Sequence, residues 1–469
     1  MDEERLMIIG AGPKAIAVAA KAHVLAGLGL AAPRVHIVER KRVGANWTGE
    51  SGYTNGTLQL GTSPEKDIGF PYDSTCWAGE EVNRLVNARM TQYSWQSYLI
   101  ESKMYSDWVD RGRPAPEHRR WAAYLQWVAA RLEGTIHLHR GDARRLSIKE
   151  GRWVLAYRTE EGLDVNLEGD GLMLTGPGRA STPPGVPESD RVLTIEGFWR
   201  AHKAFQGIGA ARIAVVGAGE SAAAIAMELA FNRNQDLHVD VISPMGMTYS
   251  RGESYRENRL YSNPEHGRWR ELSEQDRRRF IHRTDRGVFS LDAVRTLDRA
   301  ERVDILPGRL RGVTLGSHGA VELQLEYNQL RRTHACDYAI MAMGYDHLAP
   351  LRDMLDEGAQ EWILRQAGVQ ELTDGAMEPL VDRHFEVHGL RPRLHLPMLS
   401  RLTQGPGFAN LSCLGRLSDS LLTGYVTQAD RRPKPERRPW APEPTRPAPD
   451  GGGASRIATS APPLPILST

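Results

Sequence analysis

The order strand, glycine turn, helix, strand occurs twice in this chain, and no other feature constrains its fold as tightly. A short apolar run at residues 6–9 ends in Gly10-Ala11-Gly12-Pro13. A helical stretch follows from Lys14 to about Gly27, then a second apolar run at 35–38. The order recurs at 213–216, Gly217-Ala218-Gly219-Glu220, an alanine-rich helix to about Phe231, and 239–242. Each unit reads as the βαβ element of a parallel sheet, because parallel neighbours need a crossover that a helix supplies. Two such units in one chain predict an α/β protein with two Rossmann-like dinucleotide-binding domains.

The glycines have separate tasks. In such a turn the first makes the tight bend, the second lets the backbone approach a pyrophosphate, and the third small residue lets helix and strand pack closely. Gly10, Gly12 and Ala15 fill these positions in the first turn, and Gly217, Gly219 and Ala222 in the second. N–H groups at the helix start then face the phosphates. Glu39 ends the second strand, where a carboxylate accepts hydrogen bonds from a ribose. A cradle at the N-terminus with this acid suits FAD. After 239–242 comes Ser243-Pro244, with no acid to repel a 2′-phosphate, which leans towards NADPH; Arg251 is a candidate partner for that phosphate.

Composition removes other classes. The 469 residues carry a net charge of +1, so no global field recruits nucleic acid or an acidic membrane. The three cysteines, Cys76, Cys336 and Cys413, are far apart, so the dithiol of disulfide reductases is absent and no zinc spacing occurs. The acidic opening MDEER is wrong for a secretory leader. A cytoplasmic, metal-free, non-membrane protein is expected. Residues 121–132 have apolar positions at helical spacing, and 153–157, 171–175 and 338–343 read as strands. Ten of the 28 prolines fall between Pro433 and Pro465, beside the basic cluster Arg431, Arg432, Lys434, Arg437 and Arg438. That composition predicts a disordered tail from 427 to 469.

Several strings, in order, resemble the class B flavin monooxygenases, within them the N-hydroxylating branch that acts on ornithine, lysine and related amines. Gly10-Ala11-Gly12-Pro13 is similar to that branch's GxGP opening. Leu58-Gln59 and Lys66-Asp67-Ile68 resemble its flavin-edge and substrate segment. Residues 255–265 (YRENRLYSNPE) and 280–288 (FIHRTDRGV) follow in order, Ala342-Met343-Gly344-Tyr345 is similar to its ATGY element, and 417–422 (LSDSLL) to its late LSDTLL motif. The resemblance covers about residues 5 to 425. It implies an FAD-binding domain over 1–205 resumed at 346–426, and an NADPH-binding domain over 206–345 with a substrate-contacting insert at about 245–290. It also implies a homotetramer or dimer.

Carried over residue by residue, the resemblance sets Gln59 near the flavin ring and Lys66 and Asn258 on the substrate's carboxylate end. Ser418 and Asp419 then help to fix flavin or substrate. Asp285 is a substrate candidate that stands where ornithine hydroxylases show Asn. The cofactor-binding candidates are Gly10, Gly12, Pro13, Ala15, Glu39, Trp47 and Gln59 for FAD, and Gly217, Gly219, Glu220, Ser221, Arg251, Gly344 and Tyr345 for NADPH. Leu421 in the late motif joins them, and Trp95 is a further ring that could stack near flavin. Departures from the family pattern fall at Pro64-Glu65, His118-Arg119, Asp285 and Arg416. They touch the substrate side and leave the cofactor turns intact.

The chemistry implied is oxygen transfer to a substrate amine and O2 reduction through a C4a-hydroperoxyflavin, in siderophore or other secondary-metabolite biosynthesis. The nitrogen must be neutral to react. Burial favours that state, so a polar clamp at one end of the substrate and a dry channel at the other are expected rather than a strong base. S-oxygenation and Baeyer–Villiger insertion are the rival reactions. Residues 197–202 (GFWRAH) only partly echo the longer fingerprint of the latter group. A non-catalytic nucleotide-binding scaffold is the rival from another class.

Overall fold

The computed structural model describes residues 4–50, 52–132, 134, 136–186, 189–230, 237–316 and 319–426. The Pro-rich segment expected to be a tail lies outside them, as does its basic cluster.

Six strands come first: β1 (Arg5–Ile9), β2 (Arg34–Glu39), β3 (His137–Lys149), β4 (Arg152–Thr159), β5 (Asp164–Gly169) and β6 (Gly171–Leu174). A short β7 (Arg179–Ala180) precedes β8 (Val192–Thr194), β9 (Ala211–Val216), β10 (Leu237–Ser243) and β11 (Val303–Pro307). The meander β12 (Arg309–Leu315), β13 (Val321–Tyr327) and β14 (Leu330–Cys336) follows, then β15 (Tyr338–Met341), β16 (Tyr345–Asp346) and β17 (Arg393–His395).

They form two main sheets. The first has the order β17-β6-β1-β2-β3-β4-β5, with β1 parallel to both β2 and β6. The second, β11-β10-β9-β15-β8, is parallel throughout. Leu6, Met7 and Ile8 are wholly buried, as are Ile213, Ala214 and Val215. A parallel strand covered on both faces reads as a continuous apolar run, which is why these segments stood out in the sequence. Helix Pro13–Gly27 crosses from β1 to β2, and helix Glu220–Ala230 leads from β9 towards β10.

The chain returns to the first sheet at β17, which pairs with β6. The second unit begins earlier than the expected boundary at residue 206. β8 pairs with β15, and Ile195, Phe198, Trp199 and Phe205 of the next helix pack into the second core. The antiparallel meander beside that sheet was not anticipated. Its inward residues Val321, Leu323 and Leu325 alternate with polar ones, the period-2 pattern of a strand buried on one face.

Candidate active site

The first glycine turn is built as its residue types require. Gly10 has φ +94°, and a Cβ there would stand 2.6 Å from the Thr175 hydroxyl. Its N–H donates to Val38 O at 2.9 Å, tying the turn to β2. Pro13 opens the helix, where its missing N–H costs nothing. The cap residue Gly12 supplies no side-chain cap, so the first-turn N–H groups keep their donor capacity. A Cβ on Gly12 would meet nothing within 4 Å. That open space over a helix start is the place for a diphosphate. Ala15 is fully buried at the helix–sheet contact. Glu39 Oε2 accepts from Ala11 N at 2.8 Å and Oε1 from Lys41 N at 2.8 Å, which fixes the carboxylate at the end of β2.

In the second turn a Cβ on Gly217 (φ +147°) would lie 2.1 Å from Ala342 O, so only glycine fits. Gly219 faces space nearly as open as Gly12; the nearest atom to its Cβ would be Gly287 N at 3.9 Å. Ser221 is hydrogen-bonded to Tyr345, whose hydroxyl burial pushes far up. Gly344 takes φ +91° just before it, and its carbonyl accepts from Ser181 N at 2.8 Å. The residues present fit two dinucleotides.

One cavity of about 2060 Å³ is lined by the first turn and by Glu220 and Ser221, which directly follow the glycines of the second; Gly217, Gly219 and Gly344 are not themselves on its wall. Its wall carries Gly10, Gly12, Pro13 and Glu39 from the first unit, and Glu220, Ser221 and Tyr345 from the second. Trp47, Gln59, Lys66, Arg251, Asn258 and Asp285 line the same space. Trp47 meets His118 edge-on at 4.9 Å, and burial holds the His118 imidazole down at about 4, so it is neutral.

Lys66 and Asn258 come together. The ammonium of Lys66 donates to Asn258 Oδ1 at 3.1 Å, and Asn258 Nδ2 donates to Glu253 O at 2.8 Å. Burial, with the nearby Arg251, pulls the Lys66 pKa down. Asp67 anchors the segment from behind. It is buried and accepts from Trp95 N at 2.8 Å and from the Tyr72 hydroxyl at 2.6 Å. Burial raises its carboxyl to about 6. Trp95 itself is a core residue packed on Trp121 and Tyr124.

Five site expectations meet a different setting in the structure. Arg251 lines the cavity, and its guanidinium is already held by groups of the protein. Its guanidinium donates to Gly61 O and Glu253 at 2.7 Å each and stands 3.7 Å from Glu220. Asp285 is already ion-paired with Arg401 at 3.0 Å, so the second positive charge it meets belongs to the protein. Ser418 is wholly buried, donates to Gly415 O at 2.8 Å and is absent from the cavity wall. Asp419 is the hub of a buried network away from that wall: Lys21 Nζ at 2.7 Å, Ser74 Oγ at 2.6 Å and Trp77 Nε1 at 3.0 Å. Those bonds lock helix Leu414–Thr423 onto helix Pro13–Gly27. Leu421 is a fully buried core residue of the same helix, turned from the cavity.

Sequence reasoning missed Lys14, Tyr261, Met398 and residues 409–412, all on the cavity wall. Lys14 had a local signal, a charged residue at the second position of a helix whose next six residues are all apolar.

A family model described as L-lysine 6-monooxygenase/L-ornithine 5-monooxygenase matches residues 85–347. The chain is 42% identical over 448 residues to the L-lysine N6-monooxygenase MbtG of Mycolicibacterium paratuberculosis, covering 92% of this chain and 99% of that protein. It is 42% identical over 423 residues to MbtG of Mycobacterium tuberculosis H37Rv, covering 89% and 94%. The solved lysine monooxygenase NbtG of Nocardia farcinica superposes with a TM-score of 0.77 at 41% identity, covering 89% of this chain and 98% of that one. An ornithine N-hydroxylase from Kutzneria, at 18% identity and a TM-score of 0.69 over 90% of this chain and 99% of its own, shares the fold.

Proposed function

We propose, for a chain that belongs to the L-lysine 6-monooxygenase/L-ornithine 5-monooxygenase family and is thereby an NADPH-dependent flavin monooxygenase, that its reaction is N-hydroxylation of the side-chain amine of free L-lysine. The product would feed siderophore assembly. The observation that carries this reading is one cavity walled by the first glycine turn, by Glu220 and Ser221 at the end of the second, and by the Lys66–Asn258 pair. The family relatives named for lysine support the choice of substrate.

FAD, when bound and with NADPH as its reductant, would supply the redox chemistry by which one atom of O2 is transferred to the amine. Gly12 and the first turn of its helix would hold the FAD diphosphate, and Glu39 would take the ribose hydroxyls. Gly219, Ser221 and Tyr345 would serve NADPH, the last two from the cavity wall. Lys66 and Asn258 grip the α-carboxylate of lysine. The half-buried Lys66 ammonium has Asn258 Oδ1 as its hydrogen-bond partner and lacks a carboxylate within 4 Å among the described residues. A substrate carboxylate would supply the missing charge.

The amine at the other end of the substrate meets a drier wall. Phe70, Met398 and Leu411 contribute to the lining. An alkyl ammonium loses its proton near pH 10.4 in water. Burial disfavours the charged form, so the same wall that excludes water yields the neutral nucleophile. No dedicated base is needed. His118, neutral at physiological pH, adds no positive charge against this.

The test is mass spectrometry of products after incubation with NADPH, O2 and separately L-lysine, L-ornithine, cadaverine, a thioether and a ketone. The reading expects one added oxygen on the lysine side-chain nitrogen, with lysine preferred. Peroxide release without oxygenated amine, or oxygenation of the thioether or ketone alone, would overturn it.

A further inference from the structure

The chain buries two lysines in helix Pro13–Gly27, and they are treated differently. Lys21 is ion-paired with Asp419 at 2.7 Å. Lys14, equally sequestered, has a single bond, from its ammonium to Ala409 O at 2.9 Å. Among the described residues no carboxylate lies within ion-pairing distance of it. Asp285, the acid that acts on it through space, is occupied by Arg401 at 3.0 Å. Cys413 beside it is kept a neutral thiol by burial. Burial accordingly depresses the Lys14 pKa to about 8. A buried charge without a counter-ion is costly, and proteins avoid it unless a bound group supplies the opposite charge. Lys14 lines the cavity, so that group can reach it.

Position along the cavity says which part of a cofactor this is. The ribose end is marked by Glu39 and the diphosphate by the open space over Gly12. The Lys14 ammonium bonds to Ala409 O rather than to Glu39, and it has Cys413 as a neighbour in common with Lys66. Lys66 belongs to the substrate end. Lys14 therefore stands at the reacting end of the dinucleotide.

We propose that Lys14 is the cation that stabilises negative charge on the reduced flavin ring, a positioning and potential-setting residue for this reaction. The inference rests on the FAD reading above. Hydride transfer from NADPH delivers two electrons and one proton and leaves NADP⁺. The reduced ring then carries one negative charge as long as it takes up no second proton. Lys14 offsets that charge, and its single backbone bond leaves two N–H groups free to do so.

The experiment measures two quantities on purified holoenzyme for wild type, Lys14→Met, Lys14→Gln and Lys14→Arg. One is the affinity for oxidised FAD; the other is the two-electron midpoint potential of the bound flavin. The expected result is that Lys14→Met binds oxidised FAD as wild type does but loses at least tenfold in preference for the reduced form. For a two-electron couple that is a lowering of about 30 mV. Lys14→Gln, which keeps a donor for Ala409 O, should fold readily and show the same shift, and Lys14→Arg should restore the wild-type potential. An unchanged potential in both neutral variants overturns the proposal. So does loss of affinity for oxidised FAD at unchanged potential, which would assign Lys14 to the diphosphate. A wild-type protein that takes up no flavin would instead defeat the underlying FAD reading.

Discussion

Removing the Lys66 ammonium should raise the KM for lysine and leave the chemical step nearly alone. The structure sets the size of the effect. Lys66 is half-buried, its amine sits 3.1 Å from Asn258 Oδ1, and its charge has no carboxylate partner within 4 Å among the described residues. A hydrogen bond to a charged group in such a setting contributes about 1.5–3 kcal/mol. Taking about 2 kcal/mol, Lys66→Met should raise the KM for L-lysine roughly thirtyfold. The reacting nitrogen lies at the far end of the substrate, so kcat should change little. Cadaverine is the control, because it is lysine without the carboxylate. Its KM should be nearly insensitive to the substitution, so the discrimination between the two substrates collapses. Steady-state hydroxylamine formation, measured with both substrates on both proteins, provides the four numbers. Equal losses for lysine and cadaverine would refute the clamp, and so would a KM for lysine that does not move.

Other consequences follow from single contacts. Gly12→Val places a side chain in space where a Cβ touches no protein atom and φ is ordinary, so the fold should survive while FAD binding is lost; far-ultraviolet circular dichroism and flavin content separate the two. Asp419→Ala strands the buried Lys21 charge and should cost about 3–5 kcal/mol of stability by denaturant unfolding, with the KM for lysine unchanged in whatever folds. His395 is fully buried, bonded to His384 O and the Tyr425 hydroxyl, and burial lowers its pKa to about 3. The unfolded chain takes up that proton near pH 6.5 and the folded chain does not, so this group lowers stability as pH falls from about 6.5 towards 3, by about 1.4 kcal/mol per pH unit. His395→Gln should flatten that limb of a pH–stability profile.

The two glycine turns could be read from sequence because their chemistry is local: a positive φ at Gly10, an open approach at Gly12 and an apolar run on either side leave few alternatives. The start of the second unit could not. β8 is only three residues long and owes its place to β15, far along the chain. The meander left a signal in the alternation of residues 321–327 that went unread. At the site, Lys66 and Asn258 were legible through the family resemblance alone, since nothing local predicts that they meet. The ion pair of Asp285 was not legible because its partner Arg401 comes from a distant segment. Asp419 was misplaced for a related reason. An acid in a motif near a cofactor suggests chemistry, yet its three buried donors, Lys21, Ser74 and Trp77, are invisible until the helices pack.

The central claim is that both cofactors and the substrate amine share one cavity. A single-turnover experiment addresses it directly: holoenzyme is mixed anaerobically with one equivalent of NADPH, then with oxygen and L-lysine, and product is counted per flavin. The account predicts that NADPH bleaches the flavin absorbance and that close to one N-hydroxylated lysine forms per reduced flavin. Flavin that stays oxidised, or reduced flavin that returns only peroxide with lysine present, would contradict it.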